Sequence, residues 1–252
     1  MQYSSLLTQD DYDRMTGQFV QEGFRRSTMQ RTAFIAAMVT LTAVANATDP
    51  VVQVLIGSHD ADPGKTITPG RLSYPFGIDF DSTGSMIIVE FKGGRIFKRT
   101  PAGELSQIGG LGRAGYEGDG GPVSEASFKD MHNVAIGPDD SLYISDHANH
   151  AIRRVDNRGN VLTYAGGKAG FAGDGKTVEH AKFHMAISVS ISPDKKRLLV
   201  ADIKNHRIRQ ITLSSGRVET VAGNGKRDVP VDGTSAATSP LVDPRAAAYD
   251  EA

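Results

Sequence analysis

Between residues 88 and 225 the chain spells one unit again and again. YISDHANHAIRRV (143–155) runs parallel to LVADIKNHRIRQI (199–211), placing Asp146 and Asp202 56 residues apart. Asn149-His150 then matches Asn205-His206, Ile152 matches Ile208, and Arg153 matches Arg209. A weaker copy, IVEFKGGRIFKRT (88–100), has Glu90 at the acidic position and Gly93-Gly94 where Asn-His stands in the others. A second marker is GYEGDGGPVSEASF (115–128) against GFAGDGKTVEHAKF (170–183), with Asp232-Gly233 as a degraded third copy. A third series is IGG (108–110), YAGG (164–167) and VAGNG (221–225). Three independent markers at one period mean that each unit must bury its apolar face against the next, because a unit of this size has no core of its own.

Within each unit, short β-branched runs alternate with turn residues and show no helical periodicity. The first unit predicts strands at 76–80, 85–91, 94–99 and 104–108. The second predicts 132–136, 141–145, 151–155 and 160–164, and the third 187–191, 197–202, 207–212 and 217–222. Asp, Asn and Gly at Pro138-Asp139-Asp140 and Asp156-Asn157-Arg158-Gly159 suit tight reversals, since they tolerate positive φ or cap their own backbone. Four antiparallel strands per repeat make a β-propeller blade, so the fold class is all-β. Blades are expected at about 72–110, 128–167 and 183–225 of a domain covering 48–252. Val52 to Gly57 aligns with a fourth, outer strand, and 244–249 aligns with a first, inner strand.

The joint DxxNHxIR and GxxGDG pattern resembles the NHL family of β-propellers, in its bacterial form with GDGG segments between blades. The likeness covers about residues 50–250. It implies a six-bladed ring, with family roles that span ligand and protein binding, RNA binding in animal members, and an amidating lyase branch. Six blades at the observed period need about 330 residues, and about 205 follow residue 47. The expectation is therefore a truncated propeller, with a homodimer closing the ring as the alternative. An open arc with free strand edges would be prone to aggregation.

Composition removes several classes. With 28 basic and 29 acidic residues the net charge is −1, which gives no support to a nucleic-acid partner. Zero cysteines exclude disulfides, thiol catalysis and Cys-held metals. No apolar run is long enough for a stable membrane span. The uncharged segment 32–48 follows Arg25, Arg26 and Arg31 and closes on Ala45-Asn46-Ala47, the layout of a secretory signal peptide. Residues 1–47 are then expected to form an extension plus signal, with either Met29 as the natural start or residues 1–28 as a dispensable extension. The product is secreted or periplasmic.

Residues that recur in every blade maintain the blade. Glu90, Asp146 and Asp202, with Asn149, His150, Asn205 and His206, are read as corner hydrogen-bonding groups. Asp119 and Asp174 are read as Asx-type turns, with Ca²⁺ ligation the alternative. The basic series Lys98, Arg99, Arg153, Arg154, Arg207 and Arg209 is read as solvated strand charge. The GDG segments and the acidic corners are expected on one rim, with the inner strands lining a channel below. Asymmetric positions make better ligand sites: Phe76, His132 and Arg245 enter the inner strands, with Asp130 and His184 close by. They define a binding face for a small molecule or protein, probed without any required cofactor. The resemblance to lyase and lactonase-like propellers motivates the alternative of a Zn²⁺ or Ca²⁺ enzyme using His132 and His184. Export is checked by N-terminal sequencing of the secreted product: the first residue is Thr48, and a mature chain beginning at Met1 contradicts it.

Overall fold

The computed structural model describes residues 72–250 and, ahead of them, two short strands at 39–42 and 51–54. The short strands are β1 (Val39–Thr42) and β2 (Val51–Val54), an antiparallel pair. Three four-stranded sheets follow. The first holds β3 (Pro75–Phe80), β4 (Met86–Glu90), β5 (Ile96–Arg99) and β6 (Leu105–Gly109). The second holds β7 (Met131–Ile136), β8 (Leu142–Asp146), β9 (Ala151–Val155) and β10 (Val161–Gly166). The third holds β11 (Ala186–Ile191), β12 (Arg197–Asp202), β13 (Arg207–Thr212) and β14 (Arg217–Ala222). Each sheet is an antiparallel meander, and its strand boundaries lie within two residues of those read from the repeat. The described residues form an incomplete β-propeller of three blades.

The blades stack because alternate side chains of a strand point to opposite faces. On β8, Leu142 and Ile144 join Ile87, Val89 and Ile96 of blade one in one core, whereas Tyr143 joins Val189, Leu198 and Val200 of blade three in the next. Burial alone therefore conceals the period of two, since every residue of β8 is buried. The innermost strands also touch directly. A Cβ on Gly77 of β3 would lie 2.6 Å from the Asn133 Cα on β7, so only glycine permits this approach. Asp79 Oδ2 accepts the Ile136 N–H at 2.7 Å, and the Ser145 hydroxyl donates to the Ile187 carbonyl at 3.1 Å.

Two sequence expectations change here. The GDG segments do not project from a rim but lie flat along the outer strand of the following blade. The Gly120 N–H donates to the Val161 carbonyl at 2.8 Å and the Val161 N–H to the Gly121 carbonyl at 2.9 Å; the Gly175 N–H bonds the Val218 carbonyl at 2.8 Å. Their glycines let backbone meet backbone and cover an edge that would otherwise be unpaired. The second change concerns the basic series: Arg153 and Arg209 are not solvated but fully buried.

Arg153 is the hub of its blade. Its Nη2 donates to Asp119 Oδ1 at 2.8 Å and to the Glu117 carbonyl at 3.2 Å. Its Nη1 donates to Asp146 Oδ2 and the Ser127 carbonyl, each at 3.3 Å. Tyr116 and Phe128 lie 5.1 and 5.0 Å from the guanidinium. Arg209 repeats this with Asp174, Asp202, the Ala172 and Lys182 carbonyls, Phe171 and Phe183. Asp119 and Asp174 thus accept guanidinium donors instead of capping a turn.

Blade one solves the same problem differently. Phe97 takes the place of the buried arginine, and Arg95 reaches Glu90 through two bonds of 2.7 Å while its guanidinium stacks 5.0 Å from Phe97. Gly93 replaces asparagine because a Cβ there would overlap the longer Glu90 carboxylate.

At the flanks, the strand expected near 52–57 forms as β2, but it pairs with β1 and with none of the blades. Segment 244–249, expected as an inner strand, has no ladder partner among the described residues and is chain without regular structure. Ala247 and Tyr249 nonetheless pack on the Ile187, Leu199 and Ile203 core of blade three.

Arg153→Met strips the partner from a buried carboxylate and is expected to lower unfolding stability by about 3 kcal/mol in urea denaturation. Asp119→Asn, at a half-exposed position, is expected to cost less than about 1 kcal/mol in the same measurement.

Candidate functional site

The acidic corners position the mouth of the channel. Asp146 Oδ1 accepts the Lys129 N–H at 2.7 Å, and Asp202 Oδ1 accepts the His184 N–H at 2.7 Å, which fixes the chain as it enters β7 and β11. The Asn149 amide spans Asp146 Oδ2 at 2.9 Å and the Gly115 carbonyl at 2.7 Å, and Asn205 does the same with Asp202 and Gly170. His150 and His206 adopt the left-handed conformation, with φ of 56° and 51°. His150 Nδ1 accepts the Met185 N–H at 3.1 Å, and His206 Nδ1 lies 3.4 Å from Asp243. His150 thereby ties its corner to the entrance of the next inner strand, whereas His206 Nδ1 makes no hydrogen bond.

Those entrances are strained. Tyr74, Asp130, Met185 and Asp243 all have positive φ, at 52°, 55°, 64° and 41°. Non-glycine residues reach this region only when their surroundings hold them there. Two positions beyond the first three of these, at Phe76, His132 and Ile187, the repeat stops being uniform.

Two columns vary from blade to blade. Phe76, His132 and Ile187 occupy matching places on the inner strands; Phe91, His147 and Ile203 each follow the acidic corner. The columns meet: the Phe76 ring is 4.1 Å from His132 and 5.4 Å from Phe91, and His132 is 6.0 Å from both Phe91 and His147. Phe76 is 54% exposed. Lys92 pairs with Asp130 at 2.9 Å at the edge of the cluster. Ile187 and Ile203 are buried in an aliphatic core. The mouth thus grades from phenyl to imidazole to aliphatic around the arc.

Burial, followed by the charges of His147 and Arg245, pushes His132 down to about 4. Burial also lowers His147, against the pull of Asp130. Both rings are neutral near pH 7, and they meet at a tilt of 45°. His147 Nδ1 is buried without a hydrogen-bond partner.

The structure brings Phe76, His132 and Asp130 together and sets the Arg245 charge near His132. His184 belongs elsewhere: its N–H serves the Asp202 corner, and its ring meets His150 edge-on at 5.6 Å. It corresponds in the repeat to Lys129, not to His132. The pair does not fit a shared metal: among the described residues no three His, Asp or Glu side chains form a group able to hold one. Phe91 and His147 were missed in the sequence. Reading the residue after each acidic corner across the repeats, Phe, His and Ile, would have revealed the same asymmetry as the first column.

No protein-family model and no curated protein matches the sequence. Among solved structures, the chain resembles a Bacteroides thetaiotaomicron protein of unknown function, with a TM-score of 0.55 and 19% identity over 70% of this chain and 42% of that one. It also resembles an auxiliary nutrient binding protein from the same organism, with a TM-score of 0.52 and 20% identity over 69% of this chain and 42% of that one. Both likenesses concern the β-propeller fold. The chain spans 42% of the length of each of these neighbours.

The pKa shifts set opposing pH dependences. His132 titrates near 4 when folded and at 6.5 in its reference state, so between those values the unfolded chain binds a proton that the folded one refuses. Stability therefore falls as pH drops through that window. Burial raises Asp146 and Asp202 from 3.8 to about 6, so there the folded chain binds first and stability rises as pH drops. In urea denaturation at pH 7 and pH 5, His132→Phe is expected to remove up to about 2 kcal/mol of acid-induced loss. Asp146→Asn is expected to deepen that loss.

Proposed function

We propose that the chain is an exported, NHL-type propeller segment whose loop-rich face binds a ligand at the channel mouth without catalysing its conversion. The observation that carries this reading is the exposed Phe76 ring packed at a tilt against His132, in a region where the repeat gives up its regularity. Architecture needs the same residue in each blade, whereas a binding site needs a particular residue at one place. The similarity to a nutrient binding protein agrees with a binding role.

The chemistry favours a planar anion. Phe76, Phe91 and two neutral imidazoles offer stacking faces. The Arg245 charge acts on both imidazoles, and the Lys92–Asp130 ion pair stands at the edge. A metal-dependent lyase or hydrolase is the weaker reading, because His132 and His184 sit in separate ring pairs.

The test is titration of the full chain with 4-hydroxybenzoate, followed through the imidazole NMR signals of His132 and His147. Both signals shift, and Phe76→Ala weakens binding about fivefold to tenfold, the worth of one aromatic pair. Unmoved His132 and His147 signals, or full affinity in Phe76→Ala, refute the proposal.

A further inference from the structure

The inner strands line an open concavity at their ends away from the acidic corners. It has a volume of about 430 Å³, and β3, β7 and β11 all contribute to its wall, together with the hairpin at Pro193 and Lys195. This volume falls in the range of small-molecule sites. None of its residues belongs to the mouth cluster, so it is a separate place in the fold.

Its lining mixes one aromatic face with groups that donate and accept hydrogen bonds. Phe80 is 49% exposed although it ends a core strand. Beside it, Asp79 is held rigidly: Oδ1 accepts the Phe80 N–H at 2.8 Å and Oδ2 accepts the Ile136 N–H at 2.7 Å. Each oxygen keeps a further lone pair for a hydroxyl donor. Asn133 also lines the cavity, and its Oδ1 is buried with no hydrogen-bond partner. A buried amide oxygen left in that state costs free energy until something donates to it. Ser190 adds a hydroxyl, and Lys195 an ammonium whose contact with the Gly137 carbonyl is a long 3.5 Å.

The repeat does not require these residues. Matching positions read Asp79, Ala135 and Ser190 along one row, and Gly77, Asn133 and Ser188 along another. Lys195 adopts φ of 54°, where glycine would be at ease, yet it carries a long cationic side chain into the cavity wall. A purely apolar ligand would leave the carboxylate and ammonium unpaired. An anion would face Asp79, and a cation would face Lys195. A neutral ring with hydroxyls on its edge and C–H groups on its face satisfies every element of the lining.

We propose that this cavity binds a neutral polyhydroxylated ring, a monosaccharide or cyclitol, with its C–H face on Phe80 and its hydroxyls on Asp79, Ser190 and Lys195. The probes are D-glucose, D-galactose, D-mannose and myo-inositol, each added to the full chain and read by saturation-transfer NMR and calorimetry. At least one binds, and Phe80→Ala weakens it tenfold or more. Lys195→Gly, which suits the local backbone and spares the fold, weakens it severalfold. Phe76→Ala leaves it unchanged, which separates this site from the mouth. Failure of all four probes to bind, or binding that survives both Phe80→Ala and Lys195→Gly, or loss in Phe76→Ala, overturns the proposal.

Discussion

A buried arginine on the third strand holds blades two and three together. A guanidinium out of water is costly unless its donors are met, and Arg153 and Arg209 each engage two carboxylates, two backbone carbonyls and two aromatic rings, although the Arg153 Nε–H has no partner. Those partners come from the acidic corner and from the GDG linker that precedes the blade. The arginine therefore couples a hairpin to a loop that has no strand pairing of its own along most of its length. With the loop pinned, its glycines lie on the outer strand and close that edge, and its final residues deliver the chain to the inner strand at a fixed angle.

Blade one shows that this junction is a coupled set, not a collection of preferred residues. Glutamate replaces aspartate, glycine replaces asparagine, arginine moves two positions along the strand, and phenylalanine fills the vacated place. Each change makes sense only with the others: the longer Glu90 needs the space over Gly93, and Arg95 can reach it only because Phe97 supplies a face to lie on. The weaker resemblance of this copy in sequence is the trace of a different solution to one electrostatic requirement.

Because these junctions secure the frame, the positions that face the channel are free to differ. Phe76 and His132 were legible as candidates because they break a pattern that the eye can align. Phe91 and His147 were harder to see, since they follow the acidic corner instead of sharing a strand with the first pair, and only the turn of the chain brings the columns together. His184 was misjudged because it is near His132 in type and in repeat register, yet its backbone is committed to Asp202 and its ring to His150. The lower cavity left no mark in the motif pattern, since its residues come from three strands about 56 positions apart.

The linear chain was sufficient to define the period, the strands and the all-β meander of each unit, because turn chemistry and alternation are local and three copies reinforce one another. Which face of a strand meets solvent is not local. Arg153 looks like a surface residue until the linker before its own blade folds over it, and Asp119 looks like a turn until that arginine arrives. Burial, pairing and the convergence of side chains at the channel depend on contacts between residues tens of positions apart, and those contacts exist only once the blades have packed.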